Sequence, residues 1–349
     1  MVDPAMITAT IAFAALTVYA LLGGADFGGG VLELVAGGPT KQAQRALIQR
    51  AIGPIWEANH VWMILVIVLL FTCFPRAFAA IGIALHIPIL LMLVGVVFRG
   101  CAFVFRSYGD PNSRSEHLWS RVFSIASLVT PVLLGVIVGT VASGQVHFNE
   151  QGVYLSGYLR PWLRPFPWAV GAFALALFTF LAAVYLCVEA SEPETRDAIR
   201  RRALLSALGV GVTAGLAWLL AVHGAPTLYQ KISGSWWTWP VQIATGGVAL
   251  GAIVALWRRR FLLARTLAVV QVVLILTGYA MGQLPYLVVP DITVASSAAP
   301  RITHVLVLAA LAGGVVVLFP SLALLYHVFK GESAFAVFDR NGTKPAAPR

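Results

Sequence analysis

The chain alternates between long apolar runs and short polar breaks. The runs fall at residues 6–35, 54–73, 77–98, 122–142, 168–188, 203–223, 241–257, 261–281 and 302–329. Most are near the ~20 residues that a helix needs to cross the hydrocarbon of a bilayer. Only helices and closed barrels satisfy every backbone polar group in lipid, and these runs are too long and too continuously apolar for barrel strands. The pattern predicts an all-α polytopic membrane protein with nine transmembrane helices and a polar tail at 330–349.

Composition agrees. Apolar residues make up 59% of 349 and charged residues 11%, whereas a soluble domain carries about 25% charged residues. The net charge of +10 lies in short clusters between apolar runs, as expected of membrane-flanking charge rather than a nucleic-acid surface. Cys73, Cys101 and Cys187 form no CxxC pair, so neither a disulfide framework nor a cysteine-held metal is expected. The first run lacks a basic leader and is too long for a signal-peptide core, so no cleavable signal is expected.

The basic residues also predict an orientation. Of the 24, 19 fall in the odd-numbered connections and the tail, and five (Arg76, Arg160, Arg164, Lys231, Arg301) in the even ones. Positive charge favours the cytoplasm, which places the N-terminus outside and the C-terminus inside. The outward connections "YLRPWLRPFPW" and "SGSWWTWP" read as an interfacial aromatic belt, with a sugar- or quinone-stacking surface as the alternative.

Against this background Asp26 and Glu57 stand out. Asp26 lies toward the cytoplasmic end of helix one, and Glu57 about one turn into helix two, so the two acids reach similar depths from opposite chain directions. Ionisable groups at such places face the protein interior or a water path, and commonly belong to proton or ion relays. The alternative is that both only hydrogen-bond between helices. Gly24 and Gly28 form a GxxxG spacing that lets a neighbouring helix approach the acid. Asn59 and His60 follow Glu57 and extend a polar strip. Glu33 lies two turns beyond Asp26 on the same face, as the mouth of a path or as an ordinary interfacial charge.

Of seven histidines, His60 and His86 alone lie within spans away from both ends. They are the only pair here to consider as haem ligands, although an interhelical hydrogen bond explains such a histidine as well.

The stretches "GADFGGGVLEL", "GPIWEANHVWMI", "FPRAFA", "FRGCAFVFRS" and "GQLPYLVVPDITVASSAAP" together resemble subunit II of cytochrome bd-type quinol oxidases. The resemblance implies two four-helix bundles, at 6–142 and 168–281, plus one extra helix at 302–329. It implies a haem-free chain in a bacterial cytoplasmic membrane, packed in a heterodimer against a subunit I that carries haems b and d and the quinol site. That complex oxidises quinol and reduces O2 to water with protons taken from the cytoplasm. Some members also hold a structural quinone or small accessory subunits. By the resemblance, Glu57 fills the "W-[DE]-x-N" position of a proton inlet and Asp26 fills "[FA]-D-x-G-x-G", while Gly24, Gly28 and Trp56 are read as partner-interface or anchoring residues. Arg99 and Arg106 match a basic pair after helix three, read as cytoplasmic anchors or as contacts to subunit I. Where some members carry a further acid, four residues before Asp26, this chain has Leu22. A proton-coupled secondary transporter and a purely structural subunit are the rival readings.

Overall fold

The computed structural model describes residues 3–52, 56–108, 114–149 and 151–330. Most of the tail expected at 330–349 therefore lies outside the described residues. Asp3 caps the first helix by accepting from the Ala5 N–H at 3.0 Å. The helices are α1 (Pro4–Leu34), α2 (Lys41–Ile52), α3 (Trp56–Cys73), α4 (Pro75–Tyr108), α5 (Arg114–Ala142) and α6 (Pro165–Glu189). They continue with α7 (Pro193–Gly224), α8 (Pro226–Gly234), α9 (Thr238–Trp257) and α10 (Phe261–Gln283). A small hairpin, β1 (Tyr286–Val288) and β2 (Ile292–Thr293), then leads through α11 (Val294–Ser297) to α12 (Arg301–Lys330). Proline opens α1, α4, α6, α7 and α8, where its missing N–H costs nothing and its fixed φ suits a first turn.

Eight of these helices are long and apolar enough to cross a membrane, and α3 adds a shorter apolar stretch at Asn59–Cys73. The nine predicted spans are α1, α3, α4, α5, α6, α7, α9, α10 and α12. The sequence reading missed α2, α8 and α11, which are short or polar, and the hairpin, whose strands are too brief to show a period of two.

The helices α1, α3, α4 and α5 pack as one bundle, and α6, α7, α9 and α10 as a second. The bundles join where α6 lies against α1 and α5. That seam depends on missing side chains: a Cβ on Gly135 would sit 2.7 Å from the Cα of Gly171. Helix α12 leans on α1 and α3.

The hairpin region closes one end of the first bundle. Ala77 N–H donates to Ser297 Oγ at 2.8 Å, Ala299 N–H to the Cys73 carbonyl at 2.9 Å and Val289 N–H to the Val141 carbonyl at 3.1 Å. At this loop-rich end Trp236 and Trp239 are 84% and 63% exposed, as an interfacial belt requires. Trp162 departs from that expectation: it is buried, and its Nε1 donates to the Tyr158 carbonyl at 2.8 Å.

Candidate functional site: a buried charge ladder on α1

The segment "GADFGGGVLEL" places two acids seven residues apart on α1 and surrounds them with glycine. Helix α6 approaches on one side, where a Cβ on Gly24 would lie 2.6 Å from the Phe178 ring and one on Gly28 would overlap the Phe178 carbonyl. Helix α5 approaches on another, where a Cβ on Gly30 would overlap Ser127 Oγ. Asp26 and Glu33 are consequently only 4% and 2% exposed.

Each acid meets an arginine from α4. Arg99 Nη1 donates to Asp26 Oδ2 at 2.9 Å, and Arg99 Nη2 lies 2.8 Å from Asp26 Oδ1. The same Nη2 donates to the Asp26 carbonyl at 3.1 Å, and Nε donates to Ser127 Oγ at 3.0 Å. Two turns away, Arg106 Nη1 donates to Glu33 Oε1 at 2.7 Å. The Phe123 ring of α5 lies between the two guanidinium carbons, 4.9 Å from that of Arg99 and 4.6 Å from that of Arg106. Phe27 covers Arg99 at 4.7 Å. Charge-assisted bonds, close ion contact and aromatic faces are what a guanidinium needs once it has left water.

Both pairs span 73 positions. A constant offset means that α1 and α4 run in the same direction, with two rungs about 10 Å apart along the axis at 1.5 Å per residue. That matches the predicted alternation, since α3 carries the chain back between them.

Three expectations are corrected here. Arg99 and Arg106 are not free at the surface for a partner subunit, because they are 1% and 8% exposed and bound to acids of their own chain. Gly24 and Gly28 likewise receive α6 of the same chain. Glu33 is the second rung rather than an interfacial charge. The shared seven-residue spacing of Asp26–Glu33 and Arg99–Arg106 was the sequence signal for this arrangement.

Helix α3 brings the remaining candidates alongside. The His60 ring stacks on Phe27 with centroids 6.0 Å apart and planes at 17°, and faces Tyr19 at 6.0 Å. Phe27 therefore lies between His60 and Arg99. Asn59 is 3% exposed, and its Oδ1 has no hydrogen-bond partner among the described residues. The backbones of Trp56 and Glu57 open α3, but their side chains lie outside the described residues.

The histidine pair resolves differently. His86 is exposed on α4, beside the non-helical Leu85, with Nδ1 3.0 Å from the Ile83 carbonyl. The buried histidine that the sequence reading passed over is His304, 1% exposed, with Nδ1 3.1 Å from Thr8 Oγ1 and Phe74 against its ring. Among the described residues no group of three or more His, Cys, Asp or Glu side chains is placed to hold a metal.

The fold and the ladder define a polytopic helical membrane protein with paired charges inside its first bundle. Residues 4–329 match the family described as cytochrome bd terminal oxidase subunit II, and the chain belongs to that family. It is 24% identical over 348 residues to a putative cytochrome bd menaquinol oxidase subunit II of Bacillus subtilis, covering 95% of this chain and 97% of that one. It is 28% identical over 209 residues to cytochrome bd-I ubiquinol oxidase subunit 2 of Escherichia coli K12, a match covering 59% of this chain and 54% of that protein. Its fold is similar to a chain in the structure of bd oxidase from Geobacillus thermodenitrificans, with TM-score 0.77, 23% identity and 93% and 98% of the two chains covered. The protein is thus a multi-pass component of a bacterial inner membrane, from a family of respiratory quinol oxidase subunits.

Proposed function

We propose that this chain is the haem-free subunit of a quinol:O2 oxidoreductase and supplies part of its cytoplasmic proton inlet. Haems b and d, the quinol site and O2 reduction are assigned to a partner subunit I, against which this chain packs. The basic end of the bundle faces the cytoplasm and the N-terminus lies outside, as the 19-to-5 distribution of basic residues favours.

The charge ladder carries this reading. A proton path through apolar surroundings needs groups that can hold and release a proton while their charge is balanced, and carboxylates opposite fixed arginines meet both needs. Arg99 hydrogen-bonds Oδ2 of Asp26 and lies in ion contact with Oδ1, so Asp26 and Arg99 act as the fixed charge that organises the path. Glu33 uses Oε1 on Arg106 and keeps a buried Oε2 with no hydrogen-bond partner among the described residues. That oxygen is available to a proton or a water. Glu57 is the entry carboxylate, and Asn59 and His60 continue from it toward Phe27 and the ladder. Gly24 and Gly28 hold α6 over the path. With Leu22 in place of the further acid of some relatives, this route relies on the second rung.

The test is Glu57→Gln in the assembled complex. Quinol oxidase turnover should fall by about tenfold or more, with subunit assembly and haem spectrum unchanged. Loss of all haem would assign Glu57 a structural role instead.

A further inference from the structure

A second concentration of charge lies at the basic end of the other bundle, away from the ladder. It is formed by the start of α7 and the turn between α9 and α10. Asp197 of α7 ties the two together, with Oδ2 2.9 Å from Arg259 Nη2 and Oδ1 3.3 Å from Arg200 Nε. Arg196 crosses the same boundary, with its guanidinium carbon 5.6 Å from the Phe261 ring, and donates to the Ala190 carbonyl.

The turn itself is unusual. Arg259 has φ of 59°, in the left-handed region where a helix commonly ends on glycine. The N–H groups of Arg258, Arg259 and Arg260 return to the carbonyls of Val254, Leu256 and Ala255. Three consecutive arginines are thereby held in a closed, fixed turn against α7, although glycine would adopt its central conformation with less strain. Arg201, Arg258 and Arg260 are exposed and make no salt bridge among the described residues. The acids of this corner are Glu189, Glu192, Glu194 and Asp197; Glu192 accepts from Thr195 and Asp197 is committed to its two arginines.

Exposed apolar side chains run into this cluster. Leu205 on α7 is 68% exposed, Trp257 at the end of α9 75%, and Leu262 at the start of α10 71%. Guanidinium groups at the end of the spans, with an indole and aliphatic stripes beside them, match the profile of one kind of ligand. The phosphate sits on the arginines and the acyl chains follow the helices. A soluble anion would have no use for the stripes.

We propose that this corner binds an anionic phospholipid, with Arg201, Arg258 and Arg260 receiving the headgroup phosphate. Asp197 is the brace that keeps the two halves of the site in place. The site does not depend on the proton path.

The test uses the purified complex in mixed micelles of phosphatidylglycerol and phosphatidylcholine, with bound lipid counted by native mass spectrometry during stepwise delipidation. The wild-type complex should retain phosphatidylglycerol and release phosphatidylcholine, and millimolar inorganic phosphate should not displace the retained lipid. R201Q/R258Q/R260Q should weaken retention by about a hundredfold for three charges removed. K41Q/R114Q/R121Q, which removes the same charge from the starts of α2 and α5, should not. Three results would overturn the proposal: equal retention of the two lipids by the wild type, equal loss in the two triple variants, or unchanged retention in R201Q/R258Q/R260Q. Displacement by phosphate would overturn it in favour of a soluble-anion site.

Discussion

Arg99 and Asp26 form a two-pronged ion pair with contacts of 2.9 and 2.8 Å, at 1% and 4% exposure. Neither group has water to fall back on, so the pair behaves as a unit. Arg99→Gln leaves a buried carboxylate without its counter-charge and should cost about 3–5 kcal/mol. Adding Asp26→Asn should recover much of that loss, because two neutral amides can hydrogen-bond where one unpaired charge cannot. Thermal unfolding of the four members of the cycle in detergent checks this, and a double variant no more stable than Arg99→Gln alone would contradict it.

The second rung sets up a contrast with the arginine corner. The Glu33 side chain is 2% exposed, whereas that of Asp197 is 30% exposed and faces an Arg259 side chain at 59%. Solvent screening leaves surface pairs worth about 1 kcal/mol or less. Asp197→Asn should therefore shift the melting temperature little and raising salt should erase the difference, while Glu33→Gln should lower it clearly at any ionic strength.

Close helix approach makes its own prediction. Gly28→Ala drives a methyl into the Phe178 carbonyl, whereas a Cβ on Gly82 of α4 meets nothing within 4 Å. Overpacking of this kind costs about 1–3 kcal/mol. Gly28→Ala should lower both yield and melting temperature, with Gly82→Ala as the unaffected control.

At the other end of the molecule, Thr8→Val removes the partner of His304 Nδ1 and leaves a buried nitrogen unsatisfied, a loss of about 1–3 kcal/mol. Thr10 is exposed and, among the described residues, bonds to the Met6 carbonyl of its own helix. Thr10→Val should be silent in the same melting assay.

Much of this was legible in the sequence. The nine apolar runs became nine helices because lipid leaves the backbone no other choice, and Asp26 was conspicuous because an acid is rare at that depth. The partner of Asp26 was hidden by a boundary. Arg99 directly follows the apolar run 77–98, where a basic residue normally ends a span and reaches for the interface. Helix α4 instead continues to Tyr108, because both arginines turn inward to acids. Hydropathy counts a charge without knowing whether another charge will meet it. The polar start of α7 was missed for a related reason: its helix extends beyond the apolar run that marked it.

The constant 73-residue offset also orders events during synthesis. At about 5–20 residues per second, Asp26 and Glu33 enter the membrane roughly 4–15 s before Arg99 and Arg106 exist. For that interval the first span carries two acids without their counter-charges, and uncompensated acids in a span disfavour insertion. Completion of α4 is thus the step that neutralises the first span, and a chain halted before it carries both acids unpaired.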